Sequence, residues 1–577
     1  MLNKLWLSVS PRRRYQFFIL IAFMIIGSLA EVVSIGAVLP FLAALASPEL
    51  VFNHPYLQPF LVEIDITNPQ QVVLPLTIAF CGASLIAGCT RVLLLRQSLS
   101  YAFGLGSELR TDAYRRTLHQ PYSVHLERNS SEIINGISFK TSEVIFYVIL
   151  PVMMLINASL MSVAIVLVLA KIVPFSVLAT LALFGFFYLA MVKFLRRRLR
   201  KNSEIISTAS TKGLRQLQEG LGGIRDIILD GTQDFFVASY NHSVLAHSTA
   251  QRDNNFLGQS PRFIMESAGM VLIALIAFYL TQVGVKIEEV IPIMAALAIG
   301  LQRLLPLLQQ VFNSVSTIHG SEESLKEVLK LLEQPITDKT GDNIRKPLVF
   351  EREIRTRDLG FRYGENSQWV FQNLNLVIPK GACIGFVGKS GSGKSTLIDI
   401  IMGLLLPSRG ELLVDGRAVN ELNLDAWRSR IAHVPQDIFL TDGTLWENIA
   451  FGIPWDQIDR SMVMKAAERA QIGKTIMSWS LGYDTFVGER GVQISGGERQ
   501  RIGIARALYK NADIFIFDEA TSALDSATED SVMQVIEQFD ETITVLIIAH
   551  RHATLKNCDQ IVEIKMNSTG IIELGFI

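Results

Sequence analysis

The run Gly388-Lys389-Ser390-Gly391-Ser392-Gly393-Lys394-Ser395 carries the spacing of a phosphate-binding loop. Glycine at 388, 391 and 393 lets the backbone curl until successive amide N–H groups point at one spot, and the N-terminus of a following helix adds partial positive charge there. Such a spot holds phosphate. Lys394 then reaches the β- and γ-phosphates of ATP as a point charge, the Ser395 hydroxyl ligates Mg²⁺, and Ser390 and Thr396 are further nucleotide contacts.

Two more clusters downstream suit the same chemistry. Ile514-Phe515-Ile516-Phe517 reads as a buried parallel strand ending in Asp518-Glu519, and ligands of doubly wound sheets sit at the carboxyl ends of such strands. Asp518 is placed to help hold Mg²⁺ and Glu519 to orient the attacking water. Ile494-Ser495-Gly496-Gly497-Glu498 opens a second helix with a serine and two glycines, which makes another anion site of free N–H groups and an outward hydroxyl. One nucleotide does not need two such sites from one chain. The second therefore serves the γ-phosphate of ATP on another copy, so that two domains meet head to tail around two nucleotides.

These residues need a sheet to hold them. Cys383–Val387 reads as the strand before the loop and Thr396–Leu406 as the helix after it, and strands and helices alternate from Leu348 onward. Glu322–Glu333 reads as a charged helix, and Gln334-Pro335 opens a polar linker. The expected domains are therefore 1–333, a linker over 334–347, and a soluble α/β P-loop domain over 348–577.

The first of these reads as a membrane domain. Across 577 residues, 49% are apolar and only 19% charged, and mean hydropathy is +0.33, high for a soluble protein. The formal net charge of −1 excludes bulk attraction to nucleic acid. Cys81, Cys89, Cys383 and Cys558 are scattered and form neither a disulfide framework nor a metal site. Tyr15–Ala46 is almost wholly apolar after Arg12-Arg13-Arg14, and its length marks a spanning helix rather than a cleaved signal peptide. Further spans read as Val72–Leu95, Ile145–Ala170, Val173–Val192, Phe263–Val283 and Val290–Phe312. Basic residues cluster before the first span and after the fourth, from Lys193 to Lys201, which puts both termini in the cytoplasm. The polar stretches Gln97–Glu143 and Lys193–Arg262 read as two helical hairpins projecting roughly 35 Å into the cytoplasm. They reverse near Pro121 and near Gly222-Gly223.

Together, the glycine loop, the Ser-Gly-Gly-Glu run, Asp518-Glu519, Ser522-Ala523-Leu524-Asp525 and His550 resemble the ATPase domain of ABC transporters. With six spans and two hairpins, the chain resembles a half-transporter of the ABC exporter type, which implies a six-helix all-α transmembrane domain followed by an α/β nucleotide-binding domain. The resemblance implies that Tyr363 stacks on adenine. It gives Gln436 a contact to Mg²⁺ or the water, Asp525 a link between the two sites, and His550 a contact to the γ-phosphate. It also matches Thr485–Gly491, with Glu489, to the exporter segment that meets the hairpins. Ile494 and Glu498 stand where the family usually has Leu and Gln. The implied cofactors are ATP and Mg²⁺, the implied partner is a second copy, and no nucleic acid is involved.

Arg91, Arg262 and Arg303, with Glu31 and Glu266, interrupt apolar sequence, where charge is costly and usually functional. Arg262 and Glu266 are one helical turn apart, so an internal ion pair is open for that arginine. The segment 47–71 has a short apolar face suited to a helix on the outer membrane surface, and an ordinary external loop fits equally. With Met1-Leu2-Asn3-Lys4-Leu5, Ser260-Pro261-Arg262 and Gln302-Arg303-Leu304-Leu305-Pro306, these features resemble bacterial lipid-linked oligosaccharide flippases of the protein glycosylation pathway. That resemblance implies an inner-membrane protein whose Arg91, Arg262 and Arg303 receive the pyrophosphate of a polyprenyl carrier. Export of another lipid, a peptide or a drug is the alternative. An ATP-gated channel fits less well, because gating needs binding more than the turnover that Glu519 supplies.

Overall fold

The computed structural model of the chain describes residues 1–46, 48–52, 68–172, 175–282, 287–336, 348–389, 391–488, 494–518, 533–534, 536, 540, 542–549, 555–566 and 572–576. They fall into two units, Met1–Gln120 with Arg128–Ile336, and Pro121–Glu127 with Thr337–Ile577.

The first unit is helical. Its main elements are α1 (Leu2–Ser8), α2 (Pro11–Ala46), α3 (Val73–Leu118), α4 (Leu150–Ile172), α5 (Phe175–Gly222), α6 (Gln233–Gln282), α7 (Ile287–Gly320) and α8 (Glu322–Leu332). Helix α3, with 46 residues, is about 70 Å long, roughly twice the hydrocarbon thickness of a bilayer, so its apolar part continues into a polar extension. Among the described residues, three stretches are long and apolar enough to cross a membrane: Pro11–Leu45, Pro69–Leu118 and Ser130–Leu167. The other three apolar runs of the sequence fall on α5, α6 and α7, where many side chains lie outside the described set.

Ahead of α4 the backbone twice widens into π turns, at Asn135–Lys140 and Ile145–Ile149. The first buries Asn135, Gly136 and Lys140. Lys140 is fully enclosed and meets Glu143 at 3.5 Å, while the Asn135 amide donates to Thr211 Oγ1 at 2.7 Å. Leu5 and Val9 at the N-terminus pack with Leu325, Val328 and Leu329 of α8 and with Leu105 and Leu109 of α3. The exposed pairs Lys4–Glu333 at 2.9 Å and Arg13–Glu108 at 2.8 Å fix their directions, each contributing at most about 1 kcal/mol. In the segment 47–71, Pro48–Phe52 is a short helix whose Val51 packs with Ala44 and Val72. Residues 53–67, which carry most of the expected surface face, lie outside the described residues.

The second unit is built on a sheet of β1 (Glu353–Phe361), β2 (Phe371–Pro379), β3 (Cys383–Val387), β4 (Arg409–Val414), β5 (Arg417–Ala418), β6 (Ile431–Val434), β7 (Ile514–Asp518), β8 (Thr544–Ile548), β9 (Gln560–Met566) and β10 (Ile572–Phe576). Their order is β5-β4-β1-β2-β10-β9-β3-β8-β7-β6. Strands β3, β7 and β8 are nearly uninterrupted apolar runs, as strands covered on both faces must be, and all three pair in parallel. Strand β2 alternates buried and exposed residues and pairs antiparallel with β1.

Two apolar cores lie against this sheet. Leu397, Ile398 and Ile401 pack in one, and Val463, Ala467 and Ile502 in the other. Trp427 anchors the first core. It is completely buried, meets Phe350 edge-on at 6.3 Å, and donates its indole N–H to the Ile401 carbonyl at 2.7 Å. Truncation leaves a large cavity and an unpaired carbonyl, so Trp427→Ala is expected to cost about 3–5 kcal/mol and to lower the unfolding temperature of this unit by roughly 10 °C. A calorimetric scan of the full-length protein checks this, and a shift of a degree or two would contradict it.

Candidate functional site

Strands β3, β8, β7 and β6 are consecutive and parallel, so their carboxyl ends line one edge. The glycine loop follows β3, Asp518 closes β7, Gln436 comes two residues after β6, and His550 comes two residues after β8. The fold thereby gathers chain segments more than a hundred residues apart.

Within the loop, a Cβ on Gly388 would stand 2.5 Å from the Ile564 carbonyl oxygen, closer than any side chain permits. Gly393 has φ of 82°, in the left-handed region that favours glycine, and caps the helix α9 (Lys394–Ile401). Lys394 is buried and its ammonium donates to the carbonyls of Gly388 at 2.7 Å and Lys389 at 3.0 Å. The Ser392 hydroxyl is buried without a protein partner, and Ser395 is exposed at the helix start. Thr396 is buried and bonds the Tyr363 hydroxyl at 2.8 Å, which leaves the half-exposed Tyr363 ring standing beside the loop, edge-on to Phe361.

Sequence reasoning passed over three residues here. Asp399 lies one turn after Ser395 on the same face of α9, a spacing that the helical period exposes. Burial first, and then the neighbouring Asp518, push its carboxyl up to about 6. Tyr122, on the short helix Tyr122–Glu127 that belongs to this unit, has its hydroxyl pKa raised by burial, then by Asp399 and Tyr363. No local signal points to it. Ser392 sat inside the motif without a role.

The second glycine motif opens a helix, with Ser495 exposed at its start. Ser495 caps the helix α10 (Gly496–Tyr509), and its hydroxyl is engaged rather than free. The Glu498 carboxylate accepts from the Ser495 N–H at 2.8 Å and from its hydroxyl at 2.7 Å, closing a capping box. Glutamate at this position is thus explained by the cap. Gly496 has open space at its missing Cβ.

In the helical unit, Arg91 of α3 and Arg303 of α7 line one cavity of about 710 Å³ walled largely by apolar side chains such as Phe80, Leu94 and Met153. Both arginines face Glu31 of α2. Arg303 is in direct contact with its Oε1, and Arg91 Nε lies 3.6 Å from its Oε2. Arg262 does not line this cavity. It pairs with Glu266 at 2.9 Å, the local ion pair left open by the sequence. Ser390, Glu489, Glu519, Asp525 and His550 lie outside the described residues.

Residues 371–522 match the family described as ABC transporter, and residues 17–299 match the ABC transporter transmembrane region. The chain belongs to the ABC transporters. It joins one membrane region to one ATPase region, the composition of an exporter half-transporter. Its relatives include the ATP-dependent lipid A-core flippase of Cupriavidus pinatubonensis, 28% identical over 79% of this chain and 77% of that one. The flippase of the same name from Methylococcus capsulatus is 28% identical over 95% of this chain and 88% of that one. Among solved structures, a bacterial Atm1-family ABC exporter with ATP bound superposes with a TM-score of 0.76 at 23% identity, covering 94% of each chain, which establishes the shared fold.

As an ABC transporter the chain is an integral membrane protein that uses ATP and Mg²⁺ and couples ATP hydrolysis to transport. The loop suits that pair: it has a buried ammonium bonded to its own loop's carbonyls, a buried hydroxyl with no hydrogen-bond partner at Ser392, and at Gly388 a backbone approach that a Cβ would block.

Two predictions follow from this edge. His433 on β6 is half-buried with Nε2 enclosed and unpartnered, and burial pulls its pKa down to about 4. The folded form stays neutral while the unfolded chain, with a pKa near 6.5, takes a proton, so the contribution of His433 to stability falls as pH drops from about 6.5 to about 4 and is flat above, against the opposite contribution of Asp399, whose raised carboxyl pKa favours the folded state as pH falls below about 6. His433→Gln should remove that slope in unfolding temperatures measured from pH 8 to pH 5. Separately, Ser495→Ala breaks the cap of α10 and should lower the stability of the unit by about 1 kcal/mol, whereas Glu498→Gln keeps one acceptor and should cost less than half of that in urea unfolding.

Proposed function

We propose that two copies form a flippase that carries a polyprenyl-pyrophosphate-linked oligosaccharide from the inner to the outer leaflet of a bacterial inner membrane, with termini and ATPase domains in the cytoplasm. In this reading residues 1–333 form the transmembrane domain, 334–347 the linker and 348–577 the ATPase domain. The observation that carries it is the convergence of Arg91 and Arg303 on one cavity with apolar walls. Guanidinium groups are matched to phosphate oxygens, and apolar walls to a lipid chain. A drug exporter has no need of that pair of charges.

Bound MgATP supplies a γ-phosphoryl group whose transfer to water is strongly downhill. Lys394, with Ser390, Gly391 and Gly393 of the loop, holds the phosphates, Tyr363 takes the base, and Thr396 positions that ring through its hydroxyl. Ser395, Asp518 and Gln436 hold the metal, and Glu519 orients water while His550 contacts the γ-phosphate. Ser495, Gly496 and Gly497 of one copy close over the loop of the other, and Asp525 links the paired sites. Closure of the pair drives the change of access, and hydrolysis resets it. The names of the relatives favour a second cargo, lipid A-core.

The test is reconstitution in liposomes with either lipid, fluorescently labelled, and an assay of movement between leaflets. Wild type should move the polyprenyl lipid with ATP. Glu519→Gln should reduce movement at least about a hundredfold. An Arg91→Ala, Arg303→Ala double variant should keep basal ATP hydrolysis and lose at least about tenfold in movement. Movement of lipid A-core alone would replace the polyprenyl reading, and movement of neither would remove both.

A further inference from the structure

The arginine cavity contains its own anion. Glu31 is the one acid among the described residues lining it, and it is only 2% exposed. Its two oxygens are used unequally. Oε1 is in direct contact with Arg303, whereas Oε2 lies 3.6 Å from Arg91 Nε and has no hydrogen-bond partner. The cations are also unequal, because the Arg91 side chain is 54% exposed and that of Arg303 33%. Arg91 is therefore the more distant and more exposed member, reachable from the cavity, and Arg303 the one in closer contact with the acid.

We propose that Glu31 is a resident counter-ion that competes with the anionic headgroup for Arg91 and Arg303 and so sets how tightly the cargo is held, an inference that rests on the anion-binding reading of the cavity. An arginine pair in an apolar cavity with no internal anion would be costly while empty and would hold a phosphate too firmly to release it. A carboxylate tethered on α2 is always within reach, so its effective concentration stays high whether or not cargo is present. Headgroup binding then exchanges Arg91 from Glu31 to phosphate, and release reverses that exchange. Glu31 is a specificity-determining residue in this scheme, because only an anion stronger or more highly charged than a carboxylate wins the exchange. The bland alternative is that Glu31 merely clamps α2 to α7 through Arg303.

The two differ in a readout that stability does not move. In nanodiscs holding the full-length dimer, stimulation of ATP hydrolysis is titrated with the polyprenyl-pyrophosphate lipid, with a phosphorylated lipid A-type lipid, and with uncharged polyprenol. Glu31→Gln should lower the half-maximal concentration of a phosphorylated lipid by about tenfold while slowing its translocation, and should leave polyprenol unmoved. Glu31→Asp should fall between Gln and wild type. Should Glu31→Gln fail to fold, Arg303→Gln is compared with the Glu31→Gln, Arg303→Gln double variant, in which freeing Arg91 should again tighten phosphorylated lipid. Half-maximal concentrations within twofold of their references for both phosphorylated lipids, or an equal change for polyprenol, would overturn the proposal. Tightening toward the lipid A-type lipid alone sustains it and removes the polyprenyl reading. Wild-type transport of the polyprenyl lipid with affinity indifferent to residue 31 does the reverse.

Discussion

A charge taken out of water has to be matched, and at two described sites of this chain the match comes from within. Lys394 lies on the carbonyls of its own loop, and Arg303 on the buried Glu31, with Arg91 more distant from the same acid. Ligand binding at such places exchanges one set of partners for another. The gross interaction with a phosphate is large, but the net gain is a difference between two good arrangements, because the alternative to the ligand is a satisfied group and not a bare one. A protein that must bind and let go in every cycle benefits from that small difference.

The sheet supplies what exchange alone does not, a fixed frame. Strands β3, β8, β7 and β6 run side by side and are buried, with Phe386, Ile547 and Phe517 at most a few per cent exposed, so the loop, Asp518 and the turn carrying Gln436 start from rigid positions. Parallel strands need their crossovers on the faces, and the helices α9 and α10 cover opposite cores through Leu397 and Ile502. The same apolar runs that make the strands thus also orient the polar residues at their ends.

Much of this was legible in the sequence, for reasons that differ by residue. The glycine loop is local, so spacing alone revealed it, and the apolar runs Cys383–Val387 and Ile514–Phe517 announced central strands. Arg91 and Arg303 stood out as charge in apolar sequence. Their meeting with Glu31 did not, since it depends on how α2, α3 and α7 are rotated against one another, which the apolar faces of membrane helices specify weakly. Arg262 grouped with them by type but found Glu266 one turn away. The bond from the Ser495 hydroxyl to Glu498 was not legible, because an anion site and a capping box begin with the same residues, and the rotamer of Glu498 is not written in their spacing. The π turns at Asn135 and Ile145 left no mark, because the extra residue in a turn alters neither composition nor local propensity.

The length of α6 has a mechanical consequence. Its 50 residues make a rod of roughly 75 Å, and a helix resists bending because any sharp curvature breaks several backbone hydrogen bonds at once. A tilt of about 5° at one end would therefore displace the other by roughly 6–7 Å, an amplification that needs no local rearrangement. Pro261 lies inside the rod and lacks the N–H that would complete one rung of the ladder. The missing rung makes Pro261 the place where the rod bends most readily, so the full displacement holds only while that point stays straight, and any bend there falls one position before Arg262.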